Sequence, residues 1–170
     1  MPLVKHATLA FLLLAFSQYA PARAAEAAQE TGLHIEVTVP LKPSKVVFNM
    51  DHPAFAADQP IGLAQMESMV QRYKAEQVPI QVVAVFHGAM GYMLLNDAAY
   101  NNGPRSWKGN PFKDQILALQ QEGVQFEICV NTAKRNGWVN SDFLPGVKVD
   151  GGGTLRIVQL MQDGYVQMQP

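Results

Sequence analysis

From residue 45 onward, short runs of β-branched and apolar residues alternate with longer stretches whose apolar residues recur every three or four positions. Lys45-Val46-Val47-Phe48-Asn49-Met50 is apolar on both faces, as a central parallel strand is. It ends at Asp51-His52-Pro53, and a polar loop follows to Pro60. Leu63, Met66, Val70 and Tyr73 then fall on one side of a helix over 61–76. A second strand, 79–86, closes with His87-Gly88, and a weakly helical stretch covers 90–100. Residues 111–121 read as an amphipathic helix with Phe112, Ile116 and Leu119 inward, Asn110 as N-cap and Gly123 just past its end.

The run 124–131 is a third strand in which Gln125, Glu127 and Cys129 share a polar face opposite Val124, Phe126, Ile128 and Val130. A turn of helix over 132–136 follows, then a brief strand at 147–149. Gly151-Gly152-Gly153 leads to Thr154, an expected N-cap, and to a helix with Leu155, Val158 and Met161 as its inward face. Gly164 ends that helix before a closing strand, 165–168. This order of strands and helices predicts an α/β protein, a three-layer α/β/α flavodoxin-like sandwich with a mainly parallel five-stranded sheet. Ahead of it, residues 34–39 alternate, with Ile35, Val37 and Val39 on one face. Pro40 and Pro43 limit that segment to an edge strand or arm.

The N-terminus changes the picture. Lys5 and His6 precede the apolar run Leu9 to Phe16, and Ala22-Arg23-Ala24 has the small-x-small form of a cleavage site. The expectation is a signal peptide over 1–24, export to a periplasm, a lead-in over 25–44 and one domain over 45–170. The apolar run is too short to span a bilayer, which takes roughly 20 residues, so no membrane partner is expected after cleavage. The whole chain carries 13 basic and 14 acidic residues. Lys5 and Arg23 leave with the leader and no acid does, so the mature chain is the more acidic and offers nothing to nucleic acid.

One cysteine in 170 residues cannot form an internal disulfide. In an oxidising compartment it is buried, bridged to another molecule, or kept for its reactivity. Groups that act on ligands gather beyond the carboxyl ends of parallel strands. The first strand delivers Asp51 and His52 there, the second His87 and Gly88, the third Cys129 and Asn131. A thiolate is the nucleophilic form of cysteine. The start of the 132–136 turn and a charged His87 favour it, whereas Glu127 on the same face opposes it. Asp51, His52 and His87 lack HxH or HExxH spacing, so no metal is expected. No P-loop lysine follows the triple glycine, and the loop after the first strand lacks an FMN loop's composition, so no cofactor is expected either. CxxC and GxSxG are both absent. Trp107 and Trp138 read as loop-packing residues or interface anchors.

Several segments together carry a resemblance. These are the first strand and its helix, Val85-Phe86-His87-Gly88, and Leu119-x3-Gly123-Val124-x4-Cys129. Leu144-Pro145-Gly146-Val147 and Leu160-x3-Gly164-Tyr165 complete the set. From Lys45 to Pro170 the chain resembles the DsrE/DsrF-like family, which includes the sulfur-relay subunits DsrE and TusD. The resemblance implies that Cys129 carries sulfane sulfur as a persulfide, exchanged with a donor or acceptor protein or a small sulfane-sulfur compound, with His87 in the family's His-Gly segment. It also implies a homo-oligomer, a trimer or hexamer. The alternative reading is an oligomeric binding or structural module in which Cys129 is merely buried.

Overall fold

The computed structural model describes residues 32–104 and 108–170. The chain divides into a unit ending at Thr38 and a larger one from Val39 to Pro170. In the first, the described residues 32–38 are exposed and form no strand, so the alternation over 34–39 does not become an edge strand here. The expected leader and Trp107 lie outside the described residues.

In the second unit, five strands form one parallel sheet: β1 (Ser44–Met50), β4 (Ile80–Phe86), β5 (Gln125–Cys129), β6 (Lys148–Asp150) and β7 (Val166–Met168). Their order is β6-β5-β4-β1-β7. The chain steps outward from β1 to β6, then returns across the sheet to place β7 beside β1. A short antiparallel hairpin, β2 (Phe55–Ala56) with β3 (Gln59–Pro60), interrupts what the sequence presents as loop.

The alternation along each strand sorts side chains onto two unequal faces. Val46, Phe48, Met50, Ala84, Phe86, Phe126 and Ile128 enter the larger core. Against them pack α1 (Ile61–Ala75) through Leu63, Met66 and Val70, and α3 (Lys113–Gln121) through Ile116 and Leu119. The same core takes Met90, Met93 and Leu94 from the 3-10 segment Gly88–Leu94. That segment and α2 (Asp97–Asn101) replace the single weak helix expected over 90–100, because Asn96 caps a new start by accepting the Ala99 N–H at 2.9 Å.

Among the described residues, α5 (Gly153–Gln162) is the one helix that covers the other face, where Ile157 and Leu160 close over Val47, Val83 and Val85. This corrects the expected orientation of α5. Leu155, Val158 and Met161 point outward and are 74%, 46% and 49% exposed. The expectation chose the richer aliphatic stripe. The sheet offers only three valines on that side, and Ile157 with Leu160 suffices to seal them. The N-cap is Gly152 and not Thr154.

Two helix starts shift for local reasons. Asn110 does not cap α3: its Oδ1 accepts the Phe112 N–H at 2.9 Å, while its Nδ2 donates to the carbonyls of Met93 and Leu95. It ties a loop instead, and α3 begins at Lys113. The helix after β5, α4 (Val130–Arg135), starts directly at the end of the strand, with Cys129 in the N-cap position. Trp138 packs edge-on against Phe143 with ring centroids 6.1 Å apart. Among the described residues, no helix is long and apolar enough to cross a membrane.

Because α5 alone seals the second face, trimming its contact should be costly. Ile157→Ala is expected to destabilise the protein by about 2–5 kcal/mol, in the range for a buried isoleucine. Urea denaturation reads this directly, and a loss below about 1 kcal/mol would mean that α5 does not seal the sheet.

Candidate functional site

The ladders line up one polar row at the carboxyl rim. Phe86 pairs with Ile128, and Cys129 pairs with Asp150. His87 follows Phe86 as Cys129 follows Ile128, so His87, Cys129 and Asp150 lie side by side on the face that α5 covers. One row below are Asn49, Val85, Glu127 and Lys148.

Cys129 is 6% exposed and forms no disulfide. It walls a cavity of about 280 Å³ with His87, Gly88, Asn131, Thr132 and Arg135, closed by Gly152 to Leu155 at the start of α5. Of the residues expected at the rim, Cys129, His87, Gly88 and Asn131 meet in this cavity. Asp51 and His52 do not line it. His52 Nδ1 lies 2.5 Å from Asp51 Oδ1, and Gln169 Nε2 donates to that same oxygen at 2.8 Å. Burial alone would raise the Asp51 carboxyl. The hydrogen bonds from His52 and Gln169 and the charges of His52 and His87 outweigh it and hold the group below its ordinary range.

The His-Gly segment has a steric basis. Gly88 has φ +57°, and a Cβ there would sit 2.9 Å from the Asp51 carbonyl oxygen, so only glycine fits. Its N–H donates to Thr132 Oγ1 at 3.0 Å, which fastens the end of β4 to the first turn of α4. His87 Nε2 lies 2.7 Å from Asn49 Oδ1. An amide oxygen only accepts, so Nε2 carries the hydrogen, and neutral His87 has Nδ1 as its basic nitrogen. Asn49 is oriented in turn by donating to Gln169 Oε1 at 2.6 Å. Gly153 lets α5 start against this ring: a Cβ at that position would meet the His87 ring atoms at 3.1 Å.

Glu127 does face the same side as Cys129, but it is not a free charge. It is 3% exposed and paired with Arg156 through Nε–Oε2 at 2.8 Å and Nη2–Oε1 at 2.9 Å, with a further hydrogen bond from Gln125. The two-pronged pairing fits a planar guanidinium to a carboxylate and raises the Arg156 pKa. The opposition to a thiolate inferred from sequence is therefore largely cancelled. Two helix starts meet the cavity as well. Neither has an acid in its first turn, and α4 has no side-chain cap, so α4 leaves backbone N–H groups and a partial positive charge at that end, whereas at α5 the Asp150 carboxyl takes the Gly152 N–H.

Asn49, Thr132, Arg156 and Asp150 went unrecognised in the sequence. Asp150 is the most unusual. It is buried, its Oδ1 accepts the Gly152 N–H at 2.7 Å, and its Oδ2 is buried without a hydrogen-bond partner. Burial pushes its pKa up and Glu127 adds to this. The Gly152 N–H and the charges of His87 and Arg156 offset only part of it. Its sole sequence signal is its place between a short apolar pair and a triple glycine, which reads equally well as a turn. No three His, Cys, Asp or Glu side chains among the described residues are grouped as a metal would require.

A parallel α/β domain with a lone cysteine on its carboxyl rim is thus the class defined by fold and site. The DsrE/DsrF-like family model matches residues 15–170, and the chain belongs to that family. Two solved structures share the fold. MTH1491 of Methanobacterium thermoautotrophicum, a protein of unknown function, is 23% identical over 75% of this chain and 99% of its own, with a TM-score of 0.58. The ychN protein of E. coli is 12% identical over 75% and 99%, with a TM-score of 0.51. No curated protein matches the sequence.

Two outcomes test this geometry. Arg156→Ala leaves Glu127 buried and unpaired, and should cost roughly 3–5 kcal/mol in chemical denaturation. Adding Glu127→Gln should restore part of that loss, and an Arg156→Ala cost near zero would contradict the pairing. For Asp150, the folded chain holds a proton more tightly than the unfolded chain does. Its contribution to stability is therefore full below the ordinary carboxylate value and is lost as pH rises through the raised value. Asp150→Asn keeps an oxygen for the Gly152 N–H, so its melting temperature should exceed that of the parent at pH 7, with the gap closing near about pH 4. A lower melting temperature at pH 7 would mean that the charged form is the one held in the fold.

Proposed function

We propose that this protein carries sulfane sulfur as a persulfide on Cys129, passing it between a donor and an acceptor. The observation that carries the reading is the shared cavity of Cys129 and His87, in a chain of the DsrE/DsrF-like family. His87 is fastened by Asn49 through Nε2 and has Nδ1 free to take a proton. The uncapped start of α4, together with Arg135, favours the anionic sulfur.

The chemistry balances without an external oxidant. His87 Nδ1 takes the Cys129 proton, and the thiolate attacks the terminal sulfur of a donor persulfide. A Cys129 S–S bond forms, the donor's S–S bond breaks, and the donor leaves as a thiolate that takes up the proton. An acceptor thiolate then attacks the outer sulfur of the Cys129 persulfide, and Cys129 returns to its starting state. The donor and acceptor are proteins or small sulfane-sulfur compounds. Export, from the expected leader over 1–24, puts this exchange in a periplasm. A homo-oligomer, trimer or hexamer, is the expected assembly.

A second reading has one observation in its favour, the 6% exposure of Cys129. A binding or structural module would keep this thiol inert in the native state. Intact-mass spectrometry after incubation with a small persulfide donor separates the two. The persulfide reading expects a gain of one sulfur atom, lost in Cys129→Ser. No gain, or a gain that survives the substitution, would sink it. His87→Ala should slow sulfur uptake by roughly 10²-fold near neutral pH. An undiminished rate at neutral pH would remove His87 from the mechanism.

A further inference from the structure

One acid stands beside the cysteine with half of its carboxyl unsatisfied. Asp150 pairs with Cys129 across β5 and β6, and paired residues of adjacent strands share a face of the sheet. Such strands run about 4.8 Å apart, so sulfur and carboxyl are next neighbours in the row. Asp150 is 9% exposed. Its Oδ1 accepts the Gly152 N–H at 2.7 Å, and its Oδ2 has no hydrogen-bond partner among the described residues. A buried oxygen left in this way is costly when the group is charged, and a proton on the carboxyl removes most of that cost.

The charges around this pair are engaged elsewhere. On β5, Glu127 lies on the same face as Cys129 and is held by both prongs of Arg156 from α5, which also donates to Gln159. On β6, Lys148 donates to Gln125 Oε1 at 2.6 Å. His87, at the end of β4, gives its Nε2 hydrogen to Asn49, and Arg135 of α4 lines the cavity. None of these groups donates to Asp150 Oδ2. Burial, reinforced by Glu127, therefore keeps the carboxyl above its ordinary range, since the Gly152 N–H and the charges of His87 and Arg156 offset only part of it. A negative charge on the neighbouring sulfur opposes ionisation of Asp150 further, and a charged Asp150 opposes the anionic sulfur in return.

We propose that Asp150 is the proton partner of Cys129: the two share one negative charge, and the sulfur carries it while Asp150 holds a proton. This role rests on the persulfide reading. In the empty site at neutral pH the charge lies on Asp150. Loading creates a Cys129 S–SH group, whose outer S–H is a stronger acid than a thiol. That S–H bond breaks, an O–H bond forms on the Asp150 carboxylate, and the outer sulfur is held as an anion. Like charge then keeps an acceptor thiolate from attacking it. Return of the proton from Asp150 restores the S–SH group, the acceptor thiolate takes the outer sulfur, and Cys129 leaves as a thiolate. Cys129 recovers the proton that the acceptor thiol gave up, so no outside reactant is needed. Asp150 acts through Cys129, as a positioning residue for charge.

Asp150→Asn keeps an oxygen for the Gly152 N–H and cannot ionise. Intact-mass spectrometry follows the gain of one sulfur from a small persulfide donor and its loss to an acceptor thiol. At neutral pH the variant should load faster, by roughly 10-fold, because no carboxylate opposes the sulfur anion. It should release sulfur several-fold more slowly, because no proton returns from position 150. A merely structural role would slow both steps. The difference in loading should close as pH falls below the raised Asp150 value, where the parent carboxyl is already neutral, and open as pH rises through it. In unaltered protein carrying an isotopic label at its aspartate carboxyls, NMR should show Asp150 titrating at higher pH in the loaded protein than in the empty one. Unchanged rates, a fall in both, a gap independent of pH, or an Asp150 titration unmoved by loading would overturn the shared charge and leave the persulfide reading intact. No sulfur gain in either protein would overturn both.

Discussion

The structure depends most on the seating of α5, because one helix must satisfy a sheet face that is half apolar and half charged. Ile157 and Leu160 remove three valines from water, and Arg156 on the same helix neutralises the buried Glu127. Neither contact substitutes for the other. A buried carboxylate without a partner is strongly destabilising, and a guanidinium reaches it in two-pronged fashion only at one register of the helix on the sheet. That register in turn brings Gly153 against the His87 ring and the start of α5 to the wall around Cys129. The site is thus a consequence of how the second face is sealed.

The same seating separates two kinds of polar residue at the rim. Asp51, His52 and Gln169 form a hydrogen-bonded group beyond β1, at the β7 side of the sheet. His87, Cys129 and Asp150 form a row toward the β6 side, under the start of α5. Asn49 and Gln169 link the two, since Gln169 accepts from Asn49 while Asn49 accepts from His87. The orientation of His87 therefore traces back through Asn49 to the C-terminal residues, a dependence spread over three strands and far apart in the chain.

Much of this was legible in the sequence. The double-faced apolar runs of β1 and β4 signalled buried parallel strands, and His87-Gly88 marked the end of β4, whereas the φ of +57° at Gly88 came only with the structure. Convergence of His87, Gly88, Cys129 and Asn131 followed from the parallel order alone. What could not be read depended on contacts between distant segments. The alternation of β5 called its Glu127 side polar, yet Glu127 is buried, because its partner Arg156 lies 29 residues later on another layer. Asp51 and His52 reach the rim but turn to each other and to Gln169. The inward face of α5 was misassigned because a helix with two apolar stripes carries no internal sign of which one meets the sheet. Asp150 gave no signal, since its singularity is an oxygen left unpaired by the surrounding fold.

The central claim is that Cys129 holds sulfur in transit. The most direct measurement is a chase: load the protein with isotopically labelled sulfane sulfur, remove the donor, add an acceptor thiol, and follow the label by mass spectrometry. The account predicts that one labelled sulfur leaves Cys129 and appears on the acceptor as a persulfide, restoring the unmodified protein. A label that never enters the protein, sits on another residue, or stays on Cys129 in excess acceptor would contradict it.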